Sequence, residues 1–310
     1  MGGASFDPGH WKTFTSTRTS GKTASAIFTA KGIKDSLDPK KMKNMMRESC
    51  DDIVCPESTA IIIALDETGS MGDIPEYMIR TGFPKLFTEI YDRKPVKYPH
   101  IMFQGIGDSA VMEPSAIQIS QFESGMRLAD QLADMHLYGG GGGNSCESYT
   151  FAWYMAAMHT KIDCWDKRQK KGYLFTVGDE NPNNLLARSE IKQYLDIDPE
   201  VDFTSKQLLD MVSKMYHVYH IVIEQGNHMR YESNANAVLK NWRDLLNQNV
   251  ILLSDYTKLS ETIVSIIQIQ EGADSATVAS SWSDDTSLVV RRATSGLQTT
   301  GSTKSAVVRF

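Results

Sequence analysis

Apolar residues fall along this chain in two rhythms. Short continuous runs rich in Ile and Val alternate with longer stretches whose apolar positions recur three or four apart. "STAIIIAL" (58–65) is the first run. It is short and Ile-rich, which marks a central strand covered on both faces. "IPEYMIRTGFPKLFTEIYDR" (74–93) then sets Ile74, Tyr77, Met78, Phe83, Leu86, Phe87 and Ile90 at helical spacing, with Gly82 or Pro84 expected to divide or kink the helix. "HIMFQGIG" (100–107) and "AIQISQFES" (116–124) read as strands, and "GMRLADQLADMH" (125–136) as an amphipathic helix. "YGGGGGNS" (138–145) is a loop, and "CESYTFAWYMAAMHT" (146–160) a helix with a bulky apolar face. Strand, helix, strand, helix, strand and helix follow at 172–178, 205–214, 216–223, 233–246, 249–254 and 258–270, with Thr204 capping the first of these helices. Upstream, "DPKKMKNMMRES" (38–49) opens on Asp-Pro, which suits the start of a helix.

Strands alternating with helices over about 220 residues predict an α/β fold, a doubly wound, mostly parallel central sheet flanked by helices, Rossmann-like in plan. Residues 56–270 form the expected domain. Residues 1–55 are a basic arm with a short helix, expected to pack across the domain through Trp11, Phe14 and Phe28. Residues 271–310 are a Ser/Thr-rich tail in which "SLVVRRA" can add a short helix. In such sheets ligands bind beyond the carboxyl ends of the strands, and polar clusters follow residues 65, 138 and 178.

Composition narrows the classes. The chain has 310 residues, 41% of them hydrophobic, enough for a sizeable core. The net charge is -6, but residues 1–50 carry +5 and the remainder -11. The net charge argues against a dedicated nucleic-acid binder, and the basic arm suits docking on the acidic body or on an acidic partner. Four cysteines, Cys50, Cys55, Cys146 and Cys164, neither build a disulfide framework nor form two close pairs for zinc. The N-terminus lacks the apolar core of a secretory signal, and no apolar run approaches about 18 residues. A cytoplasmic protein with no membrane partner is the expectation.

The candidate chemistry lies in "LDETGSMG" (65–72), directly after the first strand. Asp66, Thr68 and Ser70 occupy alternate positions, and a turning chain can bring their oxygens around one point. One carboxylate with two hydroxyls suits a hard divalent ion such as Mg²⁺. Such residues also cap helices, and the helix expected from Ile74 offers that second explanation.

"IIIALDETGSMG" resembles the opening strand and first loop of a von Willebrand factor A domain, and its Asp-x-Thr-x-Ser matches that family's metal-ion-dependent adhesion site. The Gly-Ser-Met-Gly ending is similar to intracellular, bacterial and phage-borne members. "GGGGGNSCES" resembles the glycine-rich loop that carries a third metal-binding side chain, and "LFTVGDENP" the strand and loop that carry a further aspartate. The resemblance covers roughly residues 56 to 270. It implies a Mg²⁺ site, with Mn²⁺ or Ca²⁺ able to stand in, built from Asp66, Thr68, Ser70, Asn144 and Asp179. The family usually has Thr or Asp where this chain has Asn144, so Ser145 is the alternative ligand, and Glu147 follows closely. The resemblance further implies a protein partner that offers a carboxylate to the ion, in a multiprotein assembly or one linked to a MoxR-type AAA+ ATPase.

Two other readings use the same residues. In one, the ion is a Lewis acid in a hydrolase of phosphoesters, with Glu67, Glu147 or Glu180 as the base. In the other, the chain is a structural or virion-associated scaffold with a vestigial site. The glycine run lacks the Lys-Ser/Thr of a phosphate loop and follows a helix rather than a strand, which argues against nucleotide binding. His217 and His220 stand three apart on one strand and face opposite sides, so they share no ion.

Overall fold

The computed structural model describes residues 32–42, 44–111, 116–125, 127–137, 139–140 and 143–297. Trp11, Phe14 and Phe28, the expected anchors of the basic arm, lie outside the described residues.

Six strands form the central sheet: β1 (Ser58–Asp66), β2 (Tyr98–Ile106), β3 (Ile117–Ile119), β4 (Gly172–Gly178), β5 (Tyr216–Ile223) and β6 (Val250–Leu253). Their order across the sheet is β6-β5-β4-β1-β2-β3. All neighbours are parallel except β3, which runs antiparallel to β2. The mostly parallel, doubly wound architecture expected from the alternation of elements is thus the observed one. The chain lays β2 and β3 on one side of β1, then returns to place β4 on the other side. The topological switch therefore falls between β1 and β4, where connections diverge and leave a crevice at the carboxyl edge. Asp66 closes β1, and Gly178 closes β4 directly before Asp179.

Helices cover both faces. They are α1 (Ile74–Tyr77), α2 (Phe83–Arg93), α3 (Arg127–Ala133), α4 (Tyr149–Met158), α5 (Arg188–Leu195), α6 (Ser205–Val212), α7 (Glu232–Leu246), α8 (Leu259–Gln270), α9 (Ser275–Ser280) and α10 (Asp284–Thr294). The period-2 rhythm of the strands decides which side chain meets which layer. Ile61, Ile63 and Leu65 of β1 face α2, α3, α8 and α10. Ala60, Ile62 and Ala64 face α4, α6 and α7. Both sides of β1 are therefore dry, which is why the run "AIIIA" carries no polar residue. Burying each Ile stabilises the sheet by roughly 1.5–3 kcal/mol.

Several expectations need correction. Among the described residues of 38–49 there is no α-helix. One 3-10 turn at Pro39–Lys41 is capped by Asp38, and Arg47–Ser49 is instead a strand paired with Thr160–Ile162. Arg47 drives this: its guanidinium is buried and donates to the carbonyls of Ser120 and Asn44, which a solvated helix would not allow. The 74–93 stretch is not one uniform α-helix: it is interrupted up to Gly82, and Pro84 stands in the first turn of α2. A π-helical turn at Met78–Gly82 joins α1 to α2, and the Gly82 carbonyl accepts from Ser260 Oγ at 2.7 Å. Helix α4 starts three residues later than expected, because Cys146–Glu147 pair as a short parallel strand with Asn181–Pro182. Within 271–310, α9 and α10 pack onto α8, with Val278, Ala279, Trp282, Val290 and Ala293 buried. Helix α5 stands in a stretch for which the sequence raised no helix. All four cysteines are free thiols. Among the described residues no helix is long and apolar enough to cross a membrane.

Candidate metal centre

Three loops converge at the switch point. The first, residues 66–72, leaves β1 through Asp66, whose side chain is fully buried. Asp66 Oδ1 accepts from the Thr68 amide at 2.9 Å and from Thr68 Oγ1 at 2.6 Å. Thr68 Oγ1 lies 3.2 Å from Ser70 Oγ, and Ser70 Oγ donates to Asp179 Oδ1 at 2.7 Å. The hydroxyls of Thr68 and Ser70 thus form a polar bridge between Asp66 and Asp179, 113 residues apart in sequence. Ser70 is the half-buried, outermost member, and Gly69 beside it is exposed.

Glycines allow the loops to touch. The Gly69 amide donates to the Gly140 carbonyl at 2.5 Å, and the Gly139 amide to the Glu67 carbonyl at 3.1 Å. A Cβ on Gly69 would lie 3.0 Å from the Gly139 oxygen and 3.2 Å from the Gly140 oxygen, so glycine lets the two loops cross without crowding. The loop after β5 closes the site from the other side. The Asn227 amide donates to the Ser70 carbonyl at 2.8 Å, and the His228 amide to Asp179 Oδ2 at 2.9 Å.

The electrostatics are one-sided. Among the described residues no Lys or Arg pairs with Asp66, Glu147 or Asp179. Burial, and then the charge of Asp179, push the Asp66 carboxyl up to about 7. Burial likewise raises Asp179. Glu147 is pushed up to about 11 by burial, with Asp66, Glu180 and Asp108 adding to it. Glu180 is pushed up to about 7 by burial and by Asp179. Among the described residues Glu147 Oε2 and Glu180 Oε2 have no hydrogen-bond partner, while Glu180 Oε1 lies 3.9 Å from His228 Nδ1. Unpaired buried carboxylates cost several kcal/mol when ionised, and a cation among them removes much of that cost.

Of the residues expected at the site, Asp66, Thr68, Ser70 and Asp179 come together. Asn144 does not join them by any hydrogen bond among the described residues. It is exposed, its amide donates to Asp108 Oδ1 at 3.3 Å, and its carbonyl oxygen accepts from the Cys146 amide at 3.3 Å. Ser145 is exposed with φ 63°, and its carbonyl accepts from Asn181. Glu67 turns below the loops and accepts from Gln118 Nε2 at 2.7 Å. His220 is buried in a stack with Trp242, and His217 lies beside Tyr173. Sequence reasoning missed Tyr149, which donates to Asp66 Oδ2 at 2.6 Å, and the 226–228 turn that holds Asp179. No local signal marks either. Among the described residues no group of three or more His, Cys, Asp or Glu side chains is disposed to hold a metal ion. An ion here needs the hydroxyls as well. The donor set, two carboxylates and two hydroxyls, suits a hard cation and no soft one.

No protein-family model matches the chain, and no curated protein matches it. Solved structures do. The pilus adhesin SpaC from Lactobacillus rhamnosus GG, in its open conformation, is similar with a TM-score of 0.50 at 10% identity, over 71% of this chain and 31% of that one. Proximal thread matrix protein 1 from the mussel byssus gives 0.43 at 11% identity, over 71% and 48%. A von Willebrand factor type A structure from Catenulispora acidiphila gives 0.37 at 13% identity, over 70% and 44%. The likeness to SpaC is one of fold, and it spans about a third of that protein's length.

Proposed function

We propose that this chain is a von Willebrand factor A-type interaction module that grips a protein partner through a divalent cation. The observation that carries the reading is the Asp66–Thr68–Ser70–Asp179 bridge at the switch point, where among the described residues no Lys or Arg pairs with Asp66 or Asp179. Asp66 and Ser70 would face the ion directly, with Thr68 and Asp179 close by. Asn144 is the proposed third-loop ligand, and to join it must release Asp108 and the Cys146 amide. Bound Mg²⁺, or Mn²⁺ or Ca²⁺ in its place, would supply an electrophilic centre whose open position takes a carboxylate oxygen. Ser70 and Gly69 form the accessible rim over which a partner's Asp or Glu would approach. An assembly driven by a MoxR-type AAA+ ATPase is one setting for such a partner.

Water-proton relaxation by bound Mn²⁺ tests this. A glutamate-bearing peptide that takes a ligand position displaces a fast-exchanging water, so the relaxation enhancement falls, and the glutamine version leaves it unchanged. Equal responses to both peptides would sink the carboxylate reading. The hydrolase alternative rests on Glu180, a buried carboxyl raised toward neutrality beside Asp179. Metal-dependent phosphoester turnover, lost in Glu180→Gln, would favour it. A chain that binds no ion yet still assembles would favour the scaffold.

A further inference from the structure

Asp66 presents two different oxygens. Oδ1 is held by the Thr68 amide and hydroxyl on the loop side. Oδ2 is held from beneath by the Tyr149 hydroxyl at 2.6 Å. Tyr149 opens α4, is fully buried, and belongs to none of the three loops. Its ring meets His220 edge-on at 5.1 Å and Trp242 edge-on at 5.3 Å. Those two rings stack on each other at 3.5 Å and 8°. Trp242 is anchored in turn, because its Nε1 donates to the Glu180 carbonyl at 2.8 Å. Gly178 leaves the space the hydroxyl occupies: a Cβ there would sit 1.9 Å from Tyr149 Oη. A tyrosine hydroxyl lies on the ring's flip axis, so ring rotation cannot withdraw it. The stack would have to move as a body.

From this we infer that Tyr149 is a positioning residue that fixes Asp66 as a one-oxygen ligand and so makes the site prefer a small cation to a large one. The inference rests on the metal reading above. Mg²⁺ takes six oxygens in an octahedron and is served by single carboxylate oxygens. Ca²⁺ takes six to eight and gains from carboxylates that bind through both oxygens. The Tyr149 bond takes one Oδ2 lone pair and holds that oxygen toward α4, so binding through both oxygens is disfavoured; an ion at Oδ1 has to displace a Thr68 donor. Phenylalanine at 149 keeps the ring in the stack and frees Oδ2.

The test is competition titration of Mg²⁺ and Ca²⁺ against Mn²⁺, on the full chain and on Tyr149→Phe. Wild type should bind Mg²⁺ at least as tightly as Ca²⁺. In Tyr149→Phe, Mg²⁺ affinity should fall roughly 10- to 100-fold, as for other side chains that orient a metal ligand, while Ca²⁺ affinity holds or rises. A merely structural role would weaken both ions alike, and an unchanged Mg²⁺/Ca²⁺ ratio overturns the proposal. The wild type alone also decides: a strong preference for Ca²⁺ overturns it even if the variant fails to fold. Binding of neither ion by wild type overturns the metal reading itself, and this inference with it.

Discussion

Gly178→Ala is the smallest change that strains the candidate site. The added methyl would stand 1.9 Å from Tyr149 Oη and 2.8 Å from Asp66 Oδ2. Neither side yields easily. Gly178 is paired in register with Val222 of β5, and Tyr149 packs edge-on against the stacked His220 and Trp242 rings. Overpacking of this kind costs about 1–3 kcal/mol. Displacing the Tyr149 hydroxyl from the Asp66 carboxyl costs a further 1.5–3 kcal/mol or so. The expected loss of about 2.5–6 kcal/mol is a large part of the roughly 5–15 kcal/mol that holds a typical domain together. Urea unfolding in EDTA measures it free of any cation. The Gly178→Ala/Tyr149→Phe double variant removes the hydroxyl that the methyl strikes. It should therefore be at least about 1 kcal/mol more stable than the two single losses added together. A Gly178→Ala loss below about 1 kcal/mol, or strict additivity in the cycle, would refute the packing argument.

Two further outcomes follow from the same structure. Trp282 joins α9 and α10 to the core: its Nε1 donates to Ser265 Oγ at 2.8 Å, and the Arg93 guanidinium lies 3.2 Å from its ring centre. Trp282→Ala should cost about 3–5 kcal/mol by thermal unfolding, and an unchanged Tm would show that this segment does not share the core. The second outcome concerns pH in the absence of divalent cations. Asp66 and Glu180 have folded values of about 7, above the ordinary carboxylate range, so the folded protein retains protons that the unfolded chain releases. That stability is fully present below about pH 4 and is lost as pH rises through about 7. Saturating Mg²⁺ should flatten or reverse the slope, because ligands bind it deprotonated. A metal-free protein equally stable at both ends of this range would contradict the burial of these groups.

The parts of the fold that were legible in the sequence are those in which one local rule decides. A strand dry on both faces must read as a continuous apolar run, and "AIIIA" does. A strand end at a switch point must carry the polar residues of any site, and Asp66 and Asp179 stand at two such ends. Long-range partners decided the rest. Arg47 lies in a strand because the Ser120 carbonyl, 73 residues on, accepts from its Nε. Glu147 is buried because Cys146–Glu147 pair with Asn181–Pro182, and no helical periodicity reports that. Position alone marks Asn144 as a candidate ligand, but the turn at Ser145 and the Asn144 bond to Asp108 are not legible in the sequence. Tyr149 read as one more aromatic in a core helix. Its hydroxyl bond crosses 83 residues, and nothing in its neighbours' identities signals it.

Calorimetric titration of Mn²⁺ into the full chain, at slightly alkaline pH, tests the central claim most directly. The account predicts a single site in wild type, weakened more than about 100-fold in Asp66→Ala and strongly in Ser70→Ala. Equal affinity in wild type and Asp66→Ala, or no binding by wild type, would contradict it.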